Sequence, residues 1–140
     1  MKLLIISILL IPSFTWGKMI SIKDYINSVS DLKDNEMFYL TARCNSLYTI
    51  IEGVSNGYPE LKEASRDARD KTAMLIILIA DEIHPNETDS FKSQMSANLV
   101  KGMIKNYSEI VNQSYINTGN YMNDFLLDDF QVCGTLLSEL

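Results

Sequence analysis

Few side chains in this 140-residue sequence are of a type that does chemistry, and their spacing limits what each can do. The one histidine, His84, follows Asp81 and Glu82. Asp81-x-x-His84 sets a carboxylate and an imidazole on one helical face, but a di-metal bundle needs that pattern twice, built on glutamates, with further inward carboxylates besides. Here it occurs once, just before Pro85, where a histidine more simply faces the negative end of a helix dipole. A serine or cysteine nucleophile needs a base to take its proton, and His84 is the sole histidine on offer. Neither a Gly-x-Ser-x-Gly elbow nor a glycine-rich phosphate cradle occurs. Asp128-Asp129 and Asp81-Glu82 are paired in sequence, but neighbours on a helix point apart, so both pairs read as solvated charge. Met95 and Met103 lie on an apolar stripe and read as core, not as haem ligands. No catalytic residue, metal ligand or cofactor-binding residue is assigned, and no cofactor is expected.

The two cysteines, Cys44 and Cys133, are in neither a C-x-x-C pair nor a metal-ligand spacing. Their meaning depends on the compartment, which the N-terminus addresses. Met1-Lys2 is followed by an apolar run from Leu3 to Ile11, with Ser7 as its one polar member, and then by Pro12-Ser13-Phe14-Thr15-Trp16-Gly17. A positive charge, a short apolar stretch and small residues at Thr15 and Gly17 form the layout of a cleavable signal peptide over residues 1–17, cut between Gly17 and Lys18. A spanning anchor would need about 20 apolar residues, so no stable membrane span is expected after signal removal. Residues 18–140 then form one exported domain in the periplasm or outside the cell. In an oxidising compartment the Cys44 and Cys133 thiols are expected to pair as a disulfide.

Charge excludes further classes of partner. Removing residues 1–17 takes away Lys2 alone, leaving 11 Lys+Arg against 18 Asp+Glu. Nucleic-acid binding draws on Lys and Arg to release condensed counterions, and adhesion to anionic lipid needs a basic cluster. Neither fits an acidic chain without a basic run.

The positions in question have to be carried by helices, because apolar residues recur at three and four spacing and nowhere alternate cleanly. Five segments are predicted. The first, Ser21 to Ser30, opens with Ser21 and Asp24 spaced as a capping box. The second starts at Asp34 as N-cap and runs to Val54, with Met37, Leu40, Cys44, Leu47 and Ile51 inward. The third runs from Pro59, a residue suited to a first turn, to Ile83. Its stretch from Ala73 to Ala80 is apolar all round and is expected to be buried on every side. The fourth runs from Thr88 or Ser90 to Gly119, with a bend allowed near Gly102. The fifth starts at Asn120 or Asn123 and turns Phe125, Leu126, Phe130 and Cys133 inward. Short connections make successive helices antiparallel neighbours, so the expected fold is all-α: an up-and-down bundle of four main helices plus a short N-terminal helix.

Two stretches are candidates for binding. Met74 to Ile79 would line a groove if it were not central to the bundle. From Asn106 to Asn123, Tyr107, Tyr115 and Tyr121 alternate with amides and a single charge, the vocabulary of protein-recognition surfaces.

The stretch Phe38-Tyr39-Leu40-Thr41-Ala42-Arg43-Cys44-Asn45-Ser46-Leu47-Tyr48, with the late Phe130-Gln131-Val132-Cys133, resembles uncharacterised small exported helical proteins of marine bacteria and phages. That resemblance implies a periplasmic location and a cysteine pair, and no activity. Three functional readings follow. The first is a non-enzymatic periplasmic or secreted interaction domain whose partner is another envelope or secreted protein. The second is a carrier of a small apolar ligand in a bundle cavity, and the third is an enzyme whose site is not legible in sequence.

Overall fold

The computed structural model describes residues 19–139, so the expected cut between Gly17 and Lys18 lies outside the described residues. Five helices follow one another: α1 (Ile22–Ser28), α2 (Asp34–Val54), α3 (Pro59–Ile83), α4 (Asp89–Thr118) and α5 (Asp124–Ser138). Together they form an all-α bundle.

Local chemistry sets the ends. The first amides of a helix have no partner within it, and a side-chain oxygen supplies one at three of the five starts. Ser21 Oγ accepts from the Asp24 N–H at 3.1 Å, Thr88 Oγ1 from Phe91 N–H at 3.2 Å, and Asn123 Oδ1 from Leu126 N–H at 3.0 Å. α2 differs from expectation. Its N-cap is Lys33, which makes no side-chain capping bond, so Asp34 and Glu36 act within the first turn through the helix dipole. α3 begins on Pro59 and stops at His84, the residue before Pro85, where helical geometry is disfavoured. α4 passes through Gly102 unbroken and ends at Gly119, whose φ of 72° closes the helix in the left-handed region that glycine enters freely.

α2 is the axis of the bundle. α3, α4 and α5 all pack against it, α3 also touches α4, and α1 lies on α5. Residues Thr41 to Tyr48 are buried without interruption. Eight consecutive residues take a helix more than two full turns, so burial of all of them means that α2 is surrounded. One apolar core gathers Leu40, Leu47 and Ile51 with Ile22, Val111 and Leu126, and a second gathers Phe38 and Ala42 with Ile76, Ala80 and Met103.

This arrangement corrects the expectation for α3. Within its apolar run Ile76 and Ala80 are buried, but Met74, Ile77 and Leu78 remain 68%, 59% and 57% exposed. The cause is position: α3 is an outer helix packed on α2 and α4, which cover one side of it. The all-round burial expected there belongs to α2, whose Thr41, Arg43, Asn45 and Ser46 disguise it in sequence.

Cys44 of α2 and Cys133 of α5 form a disulfide with Cα atoms 5.5 Å apart, closing a separation of 89 residues. A loop of that length restricts the unfolded chain strongly. Replacing both cysteines by alanine is therefore expected to destabilise the fold by up to about 4.5 kcal/mol in the chain-entropy picture, read from urea unfolding of the oxidised wild type and the double variant.

Candidate functional site

Four successive residues of α2 between them reach every other helix or its approach, because a helix turns its side chains by about 100° per residue. Arg43 reaches α4, α5 and the segment before α1, and Cys44 is bonded to α5. Asn45 Nδ2 donates to the Arg69 carbonyl at 2.8 Å and to Thr72 Oγ1 at 3.1 Å, both on α3. Ser46 Oγ donates to the Val100 carbonyl of α4 at 3.2 Å as well as to its own helix at Ala42.

The most polar of these contacts lies deepest. The Arg43 and Asp129 side chains are wholly buried and meet at 2.5 Å. Arg43 Nε donates to the Tyr107 hydroxyl at 3.2 Å, and Nη1 donates to the Ile20 carbonyl at 2.8 Å. The Tyr107 hydroxyl in turn donates to Asp129 Oδ2 at 2.5 Å. The other carboxylate oxygen, Oδ1, accepts from the Ile22 N–H at 2.6 Å. That amide is the first of α1, so Asp129 also satisfies an otherwise unpaired donor and places negative charge at the positive end of a helix. The guanidinium lies 5.9 Å and 5.7 Å from the ring centres of Tyr39 and Tyr107.

The electrostatics are those of a sealed pair. Burial alone would lower the Arg43 pKa, but the neighbouring Tyr107 and Asp129 outweigh it and hold the guanidinium above its ordinary range. Burial raises the Tyr107 phenol strongly, Asp129 adds to the rise, and Arg43 offsets part of it. Tyr48, enclosed without any charged neighbour, is pushed up to about 12 by burial. A charge pair with no path to solvent cannot meet a substrate. Its chemistry is to orient α1, α4 and α5 about α2.

The surface offers a different kind of site. Met74, Ile77 and Leu78 form a ridge along the outer side of α3 at helical spacing. Beside it, between α3 and α4, lies a cleft of about 330 Å³ with Ile77 and Ala80 on one wall, Ser93 and Ser96 on the other, and Asp81, Asp89 and Lys92 at its mouth. Lys92 Nζ lies 2.6 Å from Asp81 and 3.5 Å from Asp89, so two carboxylates share one ammonium. Asp81 is therefore turned to Lys92, while His84 packs edge-on to Phe91 with ring centres 5.9 Å apart. Among the described residues no three His, Cys, Asp or Glu side chains converge as metal ligands would. In the interior, the crevice lined by Leu40, Cys44, Thr72 and Leu75 has a volume of about 10 Å³, room for a single water molecule.

The tyrosines predicted to share a surface are divided. Tyr107 is fully buried, held inward by Arg43 and Asp129, so it leaves the proposed surface. Tyr115 and Tyr121 are exposed and stacked, 4.4 Å between ring centres and 11° between planes. Their stack bridges the Gly119 turn together with the Ser114 hydroxyl, which donates to the Asn120 carbonyl at 2.7 Å. Met103 is buried in the second core and Met95 packs against it. Asp128 is exposed as expected, but Asp129 is not solvated, and neither it nor Arg43 was singled out from sequence. A signal was present. Arg43 stands three residues after Leu40 and four before Leu47, and Asp129 stands four after Phe125 and four before Cys133, one charge of each sign on an inward stripe.

No family model matches this chain, and no curated protein or solved structure matches it either.

Asp129→Ala leaves the buried Arg43 cation without its partner and is expected to cost about 3–5 kcal/mol of stability. The double replacement Arg43→Met/Asp129→Leu, which removes both charges, is expected to recover part of that loss, as urea unfolding would show, the remainder reflecting the Tyr107 hydroxyl and the Ile22 N–H left without an acceptor. A second expectation concerns alkali. A phenol ionises near 10 in an unfolded chain, but Tyr48 does so at about 12 in the fold and Tyr107 is raised as well. The stability tied to these neutral phenols is intact below pH 10 and is lost as the pH climbs through the folded values, at about 1.4 kcal/mol per pH unit for each. Tyrosinate absorbance should therefore rise in two stages, the second coinciding with loss of helical circular dichroism and shrinking in Tyr48→Phe and Tyr107→Phe.

Proposed function

We propose that this chain is an exported, non-enzymatic interaction domain that acts in the periplasm or outside the cell and docks another protein through the outer ridge of α3. The observation that carries this reading is the exposure of Met74, Ile77 and Leu78, three large apolar side chains adjoining one another on a helix whose opposite side is fully packed. Single exposed hydrophobes are ordinary, whereas a contiguous apolar patch beside a cleft marks a binding surface. The Cys44–Cys133 bond supports export, because such bonds persist in oxidising compartments. No described helix is long and apolar enough to cross a membrane.

The carrier reading called for an internal cavity beside Met74 to Ile79; the crevice at Leu75 does not admit an organic molecule, and the larger cleft at Ile77 and Ala80 lies at the surface between α3 and α4. The enzyme reading called for polar groups converging in an open pocket. The densest polar cluster, at Arg43, Tyr107 and Asp129, is enclosed, and in the open cleft the charged groups Asp81, Asp89 and Lys92 pair with one another. A docking domain needs neither.

A photo-crosslinking residue placed at Leu78 in the producing cell is expected to yield a discrete adduct with another exported protein, on a chain whose mass shows Lys18 as its first residue. The same probe at Ile116, exposed near the Tyr115–Tyr121 stack, is expected to yield less. A chain retaining residues 1–17 would refute cleavage, and adducts from Ile116 alone would move the docking face to the end of α4.

A further inference from the structure

The ridge on α3 has a directional chemistry that narrows its partner. At its C-terminal end the apolar wall of Ile77 and Ala80 runs into the cleft whose mouth carries Asp81 and Asp89. Lys92 is the one cation placed between them, and it lies within ion-pair distance of both. Asp81 is 53% exposed and Asp89 fully so, which leaves carboxylate oxygens facing solvent. Glu82 and Glu87 are exposed in the same helix end and turn. The corner therefore holds four carboxylates and one ammonium. Midway along the helix, by contrast, the ridge carries no charge from Ala73 to Ala80.

Resting on the docking role proposed above, we infer that this face takes a cationic amphipathic helix of a partner protein. Its apolar stripe would lie along Met74, Ile77 and Leu78, and a lysine or arginine one turn further on would enter the cleft at Asp81 and Asp89. An exposed ridge packs between the side-chain rows of a second helix, the commonest way helices meet. The partner's cation completes a charge balance that Lys92 leaves short. Opposite charges at such a rim speed encounter and fix register. A second copy of this chain is the wrong occupant electrostatically, since each mature copy, with 11 Lys+Arg against 18 Asp+Glu, is acidic and carries the same acidic corner. Anionic lipid is excluded by the same sign.

The test uses the full mature chain with its disulfide intact and a fluorescein-labelled synthetic helix of about five turns. The peptide has leucines at three and four spacing and lysines flanking them. Two controls accompany it: the same peptide with glutamate for lysine, and a scrambled peptide of identical composition. Anisotropy titration is expected to show the lysine-flanked helix binding at least about tenfold tighter than either control, the effect of about 1.4 kcal/mol at an interface hot spot. Leu78→Glu should weaken binding at least as much. Asp81→Asn/Asp89→Asn should weaken it and flatten its salt dependence, and Ile116→Asp should leave it unchanged. All these positions are at the surface, so circular dichroism should report an unaltered fold.

Equal binding of the scrambled peptide, or insensitivity to Leu78→Glu, would overturn the inference. So would a dimer in sedimentation that Leu78→Glu dissolves, because the face would then be a self-interface. Crosslinking from Leu78 in cells without any preference for the lysine-flanked helix would remove the cationic partner and keep the docking face. Absence of crosslinks from Leu78 would remove the docking face itself.

Discussion

The buried bond between Arg43 and Asp129 is the constraint on which the arrangement of this bundle depends. Taking two charges out of water costs several kcal/mol for each ion, and only a full set of partners offsets that cost. Asp129 has three, from Arg43, Tyr107 and the Ile22 amide, and Arg43 reaches Tyr107 and the Ile20 carbonyl as well. Each partner comes from a different part of the chain. If α5 turned about its axis by one residue, Asp129 would swing away by about 100°, and Arg43, Tyr107 and the Ile22 amide would each lose their bond to it while still buried. Apolar packing tolerates small slips, and an enclosed ion pair does not. The pair thus selects one rotation of α5 and one seat for α1.

The disulfide acts beside it with a different effect. Cys44 follows Arg43 directly and Cys133 lies one helical turn beyond Asp129, so α2 and α5 are joined twice within a turn. One covalent link holds two helices near each other but allows them to pivot about it. A second attachment one turn away removes the pivot. For α5, only fifteen residues long and near the length at which isolated helices are marginal, this double attachment supplies order that its own sequence cannot. Asn45 and Ser46 extend the same logic to α3 and α4, each with a bond to the neighbour it faces.

Several helix boundaries were legible because they are written in local chemistry: Ser21 as a cap, Pro59 at a first turn and Gly119 at a left-handed end, with Thr88 and Asn123 each one of two residues offered, whereas Asp34 proved not to be the cap of α2. Which helix occupies the centre was not legible. Hydrophobic patterning ranks a helix by the apolar letters it shows, and on that scale the Met74 to Ile79 run outranks Thr41 to Tyr48. Burial follows the number of neighbours instead, and α2 tolerates Arg43, Asn45 and Ser46 inside because each finds a hydrogen-bond partner there. Asp129 was misread for a related reason. Beside Asp128 it looks like one of a pair of solvated acids, yet successive helical residues diverge, and only its place on the Phe125–Cys133 stripe separates the two. The stacked tyrosines show the limit of composition, since the same residue type is core at Tyr107 and surface at Tyr115 and Tyr121.

Arg43, Asn45 and Ser46 of α2 direct their polar atoms to neighbouring helices, which leaves the centre of the bundle closed. The Leu75 crevice holds no more than a water molecule, and Arg43, Tyr107 and Asp129 satisfy one another. Folding does not account for the second apolar stripe of α3, where three large side chains adjoin one another. An outer helix needs one such stripe, and Leu75, Ile76, Ile79 and Ala80 already provide it against α2 and α4. Met74, Ile77 and Leu78 could be polar without weakening either core, because they belong to neither. Their exposure works against solubility, and the acidic surface around them offsets that tendency in the free protein. A feature that costs the isolated molecule and contributes nothing to its packing makes physical sense when something else covers it.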